Sequence, residues 1–203
     1  MRHLPGEFGV NLSRVVTGVQ CRARRLVLSG SAILVLCSFP FSTCAGTLIG
    51  KVVGVSDGDT IIVLDQQKKQ HKIRLAAIDA PEGRQPYGKR SEQHLSELLY
   101  RKDVEVEWKK HDRYGRIVGK VLVTDPDTCL PLEPSCPKTL DAGLAQIKAG
   151  FAWHYRQYWK EQSMEDRDAY ALAEMEARAQ RRGLWADNRA VPPWEWRHTR
   201  RRQ

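Results

Sequence analysis

Thr47-Leu48-Ile49-Gly50-Lys51-Val52-Val53-Gly54-Val55-Ser56-Asp57-Gly58-Asp59-Thr60-Ile61-Ile62-Val63-Leu64 decides the fold. Two runs rich in β-branched residues flank Ser-Asp-Gly-Asp, and Asp-Gly between apolar runs is a strong hairpin signal. The spacing predicts strands over 47–55 and 60–64. A third follows, in which His71, Ile73, Leu75 and Ala77 alternate with Lys72, Arg74, Ala76 and Ile78. Pro81, Gly83, Pro86 and Gly88 then break the chain. Leu95, Leu98 and Leu99 fall at helical spacing, with Ser91 and Glu92 leading in. Val104, Val106 and Trp108 alternate with acids in a fourth strand, and 116–123 reads as a fifth.

Beyond a loop with four prolines, a helix over 140–148 ends at Gly150. Ser163 with Asp166 resembles a capping box opening a helix that carries Ala169, Leu172, Ala173 and Ala177 and stops at Gly183. Three strands, a helix, two strands and two helices is the order of an OB-fold. The expected class is α+β, mainly β: a five-stranded Greek-key barrel with three helices.

Three segments make up the 203 residues: 1–45 an export leader, 46–187 the OB-fold domain, and 188–203 an irregular basic tail. Arg22, Arg24 and Arg25 precede an apolar stretch, 26–41, and Thr43 with Ala45 has the small-x-small form of a signal-peptidase site. Sixteen residues fall short of the roughly 20 that span a bilayer, so cleavage after Ala45 is expected rather than a retained anchor. The charged region is long for a signal, and Val10, Val15 or Val19 could mark a later start. The protein is expected to be exported, periplasmic or secreted, touching membrane only through an uncleaved leader. A monomer is the default.

After the leader the chain keeps Cys129 and Cys136, an even pair that in an oxidising compartment implies one disulfide. No histidine lies in that loop to complete a zinc set. The net charge of +9 includes five arginines against one acid in the leader. The remaining bias is modest and favours polyanionic partners. An apolar fraction of 41% excludes wholesale disorder.

Chemistry concentrates at the turns. Asp57 and Asp59, then Arg74, Asp79 and Glu82, then Asp112, Arg113, Tyr114 and Arg116 each sit on or beside a strand. Carboxylate oxygens suit a hard divalent cation, and guanidiniums grip a phosphate in a planar, bidentate way. Each group alone has an ordinary reading: a hairpin turn, a post-strand loop, a solvated arginine, a charged hairpin. Together they describe a metal-assisted phosphodiester hydrolase.

Val55-Ser56-Asp57-Gly58-Asp59-Thr60, Ile73-Arg74-Leu75 with Ile78-Asp79-Ala80-Pro81-Glu82, and Asp112-Arg113-Tyr114-Gly115-Arg116 resemble the staphylococcal nuclease family. The resemblance covers about residues 47–185. It implies an OB-fold and Ca²⁺-dependent cleavage of DNA and RNA. It also implies metal binding by Asp59, Asp79 and the Ala80 carbonyl, water activation by Glu82, and phosphate binding by Arg74 and Arg116. Arg113 and Tyr114 match positions that touch a neighbouring phosphate and nucleotide, and Asp57 is expected to hold its turn or to support the metal ligands rather than bind the metal.

Trp153, His154, Tyr155, Arg156 and Tyr158 are candidates to extend such a groove, with packing against the barrel an equal alternative for Trp153 and Tyr155. His71, His94, His111 and His154 have no nameable partner and read as structural or surface. The rival class is a non-catalytic OB-fold module that only binds single strands. Such a module needs basic and aromatic residues, but not Asp59, Asp79 and Glu82 together.

Overall fold

In the computed structural model, which describes residues 46–128 and 136–200, β1 (Gly46–Asp57), β2 (Thr60–Asp65) and β3 (Gln70–Leu75) form an antiparallel meander. The leader, Cys129 and residues 130–135 lie outside the described residues, so the expected disulfide does too. β1 is long enough to pair with β2 through its second half and with β5 (Asp103–His111) through its first. Register shifts near Val52 and Val55 bend it between the two partners. β6 (Ile117–Thr124) pairs antiparallel with β5 and parallel with β3, joining Ile73 to Ile117 and Leu75 to Gly119. That last pairing closes the barrel, leaving no free edge among its five strands.

The barrel fills as the alternation dictates. Along β6 every second residue is buried, and Val52, Ile61, Val63, Ile73, Val104, Val106 and Val121 point inward. α1 (Gly88–Leu99) caps one end with Leu95 and Leu99, one turn apart and fully buried. α2 (Ala142–Lys148) contributes Ala142 and Ile147, and α3 (Met164–Ala179) adds Tyr170 and Ala173. Ile73 is fully buried on a strand paired on both sides. Ile73→Ala is expected to cost about 2–5 kcal/mol, measured by urea unfolding.

Several boundaries differ from expectation for physical reasons. β3 stops at Leu75, because Ala77 takes a left-handed φ of 66° and reverses the chain. Ile78 and Asp79 form β4, which pairs with β8 (Trp153–His154) in a separate two-stranded sheet. A short β7 (Lys138–Asp141) extends the sheet beyond β6, and Asp141 caps α2 through the amides of Gly143 and Leu144. α1 begins at Gly88 rather than near Ser91. Ser163 does cap α3, accepting from the Asp166 amide, but Leu172 faces outward and Tyr170 takes its place in the core.

The expected irregular tail contains α4 (Pro193–Arg200), a fourth helix. Among the described residues no helix is long and apolar enough to cross a membrane.

Candidate active site

Asp57-Gly58-Asp59 is held from beneath. A Cβ on Gly58 would stand 1.8 Å from Ser91 Oγ, so only glycine lets this turn lie against α1. Gln146, fully buried on α2, donates to the Gly58 carbonyl at 2.7 Å and to the Ser91 carbonyl at 3.1 Å. Asp57 accepts the Asp59 amide, which is the expected turn-holding role. Asp59 Oδ1 accepts from the Thr60 hydroxyl at 3.0 Å and Oδ2 from the Ala80 amide at 2.9 Å. Burial, then the charge of Asp59 and a hydrogen bond with it, push the Asp57 carboxyl up to about 7.

The barrel's register brings the second group to the first. Thr60 lies opposite Arg74, and the Leu75 amide donates to the Asp59 carbonyl at 2.8 Å. The Arg74 guanidinium therefore reaches both acids: it pairs with Asp59 through Nη1 and with Asp79 Oδ1 at 2.8 Å through Nη2. Burial alone would lower the Arg74 pKa, but the charges of Asp59 and Asp79 hold it above its ordinary value. Asp79 is only 1% exposed, and burial raises its carboxyl against the lowering pull of Arg197 and Arg74.

Glu82 stands at the cleft mouth. Its amide donates to Gln85 Oε1, and a Cβ on Gly88 would lie 2.0 Å from the Glu82 carbonyl oxygen, so the loop folds tightly there.

Asp112 organises the third group. One of its oxygens accepts the amides of Tyr114 and Arg116, both at 2.9 Å, and the other accepts Arg116 Nε at 2.7 Å. Burial would raise the Asp112 carboxyl, but these bonds hold it below its usual range. Arg116 Nη1 reaches Thr60 Oγ1 at 3.3 Å, beside Asp59. Tyr114 is 67% exposed, with the guanidiniums of Arg113 and Arg116 over its ring at 4.8 and 5.6 Å.

The three sequence motifs thus line one cleft of about 1610 Å³. Asp59, Asp79 and Arg74 touch directly, Arg116 joins them through Thr60, Glu82 faces them from the mouth, and Arg113 and Tyr114 form the rim. The aromatic residues divide. Trp153 forms part of the cleft wall but is packed, 3% exposed, with its ring edge-on to Trp185, whereas Tyr155 lines the cleft as a more open ring.

The histidines have partners after all. His71 bonds Asp65 at 2.7 Å, His94 meets Gln146, His154 meets Gln162 at 3.1 Å, and His111 lies edge-on to Trp108.

Sequence reasoning missed Arg197. Its Nη2 pairs with Asp79 Oδ2 and its Nη1 with Glu82 Oε1, both at 2.7 Å. Burial would lower its pKa, but those two bonds hold it above its ordinary value. The available signal was Pro193 at the first position of a helix, followed by an acid in the first turn.

Among the described residues no three His, Cys, Asp or Glu side chains are grouped to hold a metal. The donor chemistry nonetheless fits a hard divalent cation. Asp59 and Asp79 present oxygen only, and burial together with the negative charge of Asp59 pushes the neighbouring Asp57 carboxyl up. Guanidiniums of Arg74 and Arg197 meet that negative charge here. The Ala80 peptide faces Asp59 through its N–H.

Residues 72–187 match the model of a family described as staphylococcal nuclease homologue. An uncharacterized endonuclease of Escherichia coli is 39% identical over 165 residues, 81% of this chain and 95% of the relative. A micrococcal nuclease of Shigella flexneri is 41% identical over 150 residues, 73% of this chain and 79% of the relative. An uncharacterized endonuclease of Haemophilus influenzae is 36% identical over 165 residues, 81% of this chain and 78% of the relative.

Proposed function

This chain belongs to the staphylococcal nuclease family, whose members hydrolyse phosphodiester bonds, and from that premise we propose a Ca²⁺-dependent nuclease that cuts DNA and RNA with little sequence preference. The observation that carries the reading is the meeting of Asp59, Asp79 and Arg74 where β3 closes the barrel against β6.

Asp59 and Asp79 would hold the cation, with the Ala80 carbonyl as a further oxygen donor. Bound there, Ca²⁺ supplies charge withdrawal from a phosphate oxygen. The chain's own groups do the rest. Glu82, at the cleft mouth, orients a water and takes its proton once its carboxylate is released from Arg197. Arg74 and Arg116 meet the negative charge that grows on the phosphoryl oxygens as the water adds. Asp112 aims Arg116 by fixing both its backbone amide and its Nε. Arg113 and Tyr114 at the rim suit a neighbouring phosphate and base, and Tyr155 offers a second ring inside the cleft.

Retention of Asp59, Asp79 and Glu82 in one cleft favours catalysis over a module that only binds single strands. That module would gain nothing from several acids facing a polyanion. The leader's arginines and apolar stretch support an exported enzyme, periplasmic or secreted, and a monomer is the default reading.

The test is cleavage of single-stranded DNA and of RNA by purified residues 46–203, in Ca²⁺ and in excess chelator. Cleavage of both polymers in Ca²⁺ that stops with chelator is expected. Tight binding without cleavage under any divalent metal would establish the binding module instead.

A further inference from the structure

The last helix enters the cleft that the nuclease reading assigns to metal and substrate. α4 follows a segment tethered beside the site: the Val191 carbonyl accepts Gln85 Nε2 at 2.5 Å, three residues beyond Glu82. From there Pro192, Trp194, Arg197 and His198 line the cleft wall. Arg197 spreads its guanidinium over two acids, taking Asp79 Oδ2 and Glu82 Oε1 at 2.7 Å and Asp79 Oδ1 at 3.3 Å. Trp194 sets its ring against Tyr155 at 5.6 Å between centroids, tilted by 39°. One short helix thus puts a cation on the acids and an aromatic face on the ring that lines the cleft.

These are the two chemical features a nuclease cleft must find in its ligands: a positive ion for its carboxylates and a base for its aromatic side chain. They exclude one another by simple occupancy. A divalent cation ligated by Asp79 needs the carboxylate oxygens that Arg197 now holds, and two positive charges at that distance repel. A base stacked on the Trp194-facing side of Tyr155 needs the space of the Trp194 indole. Glu82, paired with Arg197, also has one carboxylate oxygen engaged.

We propose that residues 191–198 are a built-in competitor for the cleft, Arg197 standing in for the divalent cation and Trp194 for a base, so that metal and nucleic acid must displace them. The inference rests on the nuclease reading, and it makes the free protein self-occluded. The C-terminal arm is then the element whose departure sets the Ca²⁺ concentration at which the enzyme works.

The test compares the purified protein with Arg197→Gln by calorimetric titration of Ca²⁺. Arg197 is partly exposed at the cleft mouth, so its replacement leaves the core intact. Removing two charge-assisted bonds that Ca²⁺ must otherwise break is expected to tighten Ca²⁺ binding by about 10-fold or more. Lys109→Gln is the control, removing a cleft-lining charge that makes no ion pair with these acids. A change there of no more than about 2-fold separates displacement from a general field effect.

In the wild-type protein, Ca²⁺ with a cleavage-resistant phosphorothioate single strand is expected to speed amide exchange over 193–200 while the barrel strands stay protected. Unchanged or weaker Ca²⁺ affinity in Arg197→Gln overturns the competitor. So does unaltered exchange in α4 under saturating ligand. If neither protein binds Ca²⁺ or cleaves, the nuclease reading itself falls, and the competitor with it.

Discussion

Replacing Glu82 with Gln is expected to lower kcat on single-stranded DNA by about 10²–10⁴-fold at saturating Ca²⁺, the range a positioned general base contributes. Gln keeps the length and the hydrogen-bonding oxygen of Glu but takes up no proton. Its backbone position should persist, because the loop is fixed by the Glu82 amide on Gln85 and by the approach of Gly88 to the Glu82 carbonyl. The side chain is 41% exposed, so the substitution leaves no buried orphan and the unfolding midpoint should barely move. The side chain's weakened grip on Arg197 pushes in the opposite direction to the catalytic loss, since it loosens the occluding arm. Single-turnover cleavage beside thermal unfolding checks both points. A fall of less than 10-fold would place water activation on another group.

Arg74→Met is expected to damage stability and chemistry together. Asp59 and Asp79 share this guanidinium, and Asp79 is almost completely buried. Removing one partner of a buried ionic set typically costs about 3–5 kcal/mol, because the remaining charges lose compensation. Arg197 still serves Asp79, which sets the expectation at the lower end for that acid. Cleavage should fall a further 10²–10³-fold, by analogy with loss of one donor to a developing oxyanion. Urea unfolding with and without Ca²⁺ tests the assignment: if these acids hold the cation, Ca²⁺ restores part of the lost stability by binding the folded state. Arg74→Lys should recover stability better than rate, since an ammonium neutralises charge without the bidentate fork.

The motifs were legible because their signals are local. Asp-Gly between β-branched runs, the alternation about Ile73 and the Asp112-to-Arg116 turn each depend on neighbours within a few residues, where turn chemistry and side-chain alternation act directly. The family resemblance then joined the pieces. The short β7, the reversal at Ala77 and the β4–β8 pair were not legible in the same way. β4 and β8 are two residues each, too short for a period, and they exist because Asp79 and Trp153 are brought together from 74 residues apart. Leu172 differs in another way: it belongs with Ala169, Ala173 and Ala177 to the apolar pattern of the third helix yet faces outward, whereas Tyr170 is buried beside Ala173.

Arg197 marks the boundary most clearly. In the chain it is one of four arginines near the end, indistinguishable by composition from a solvated tail. In the fold it bridges Asp79, 118 positions earlier, to Glu82. By itself the sequence determined the barrel's strands, the turns that carry the acids and the chemical class of the cleft, because periodicity and residue type are properties of short segments. Only the tertiary structure decided which charges face one another. Buried carboxylates find their cations through barrel closure and helix docking, and those contacts depend on the whole path of the chain rather than on any stretch of it.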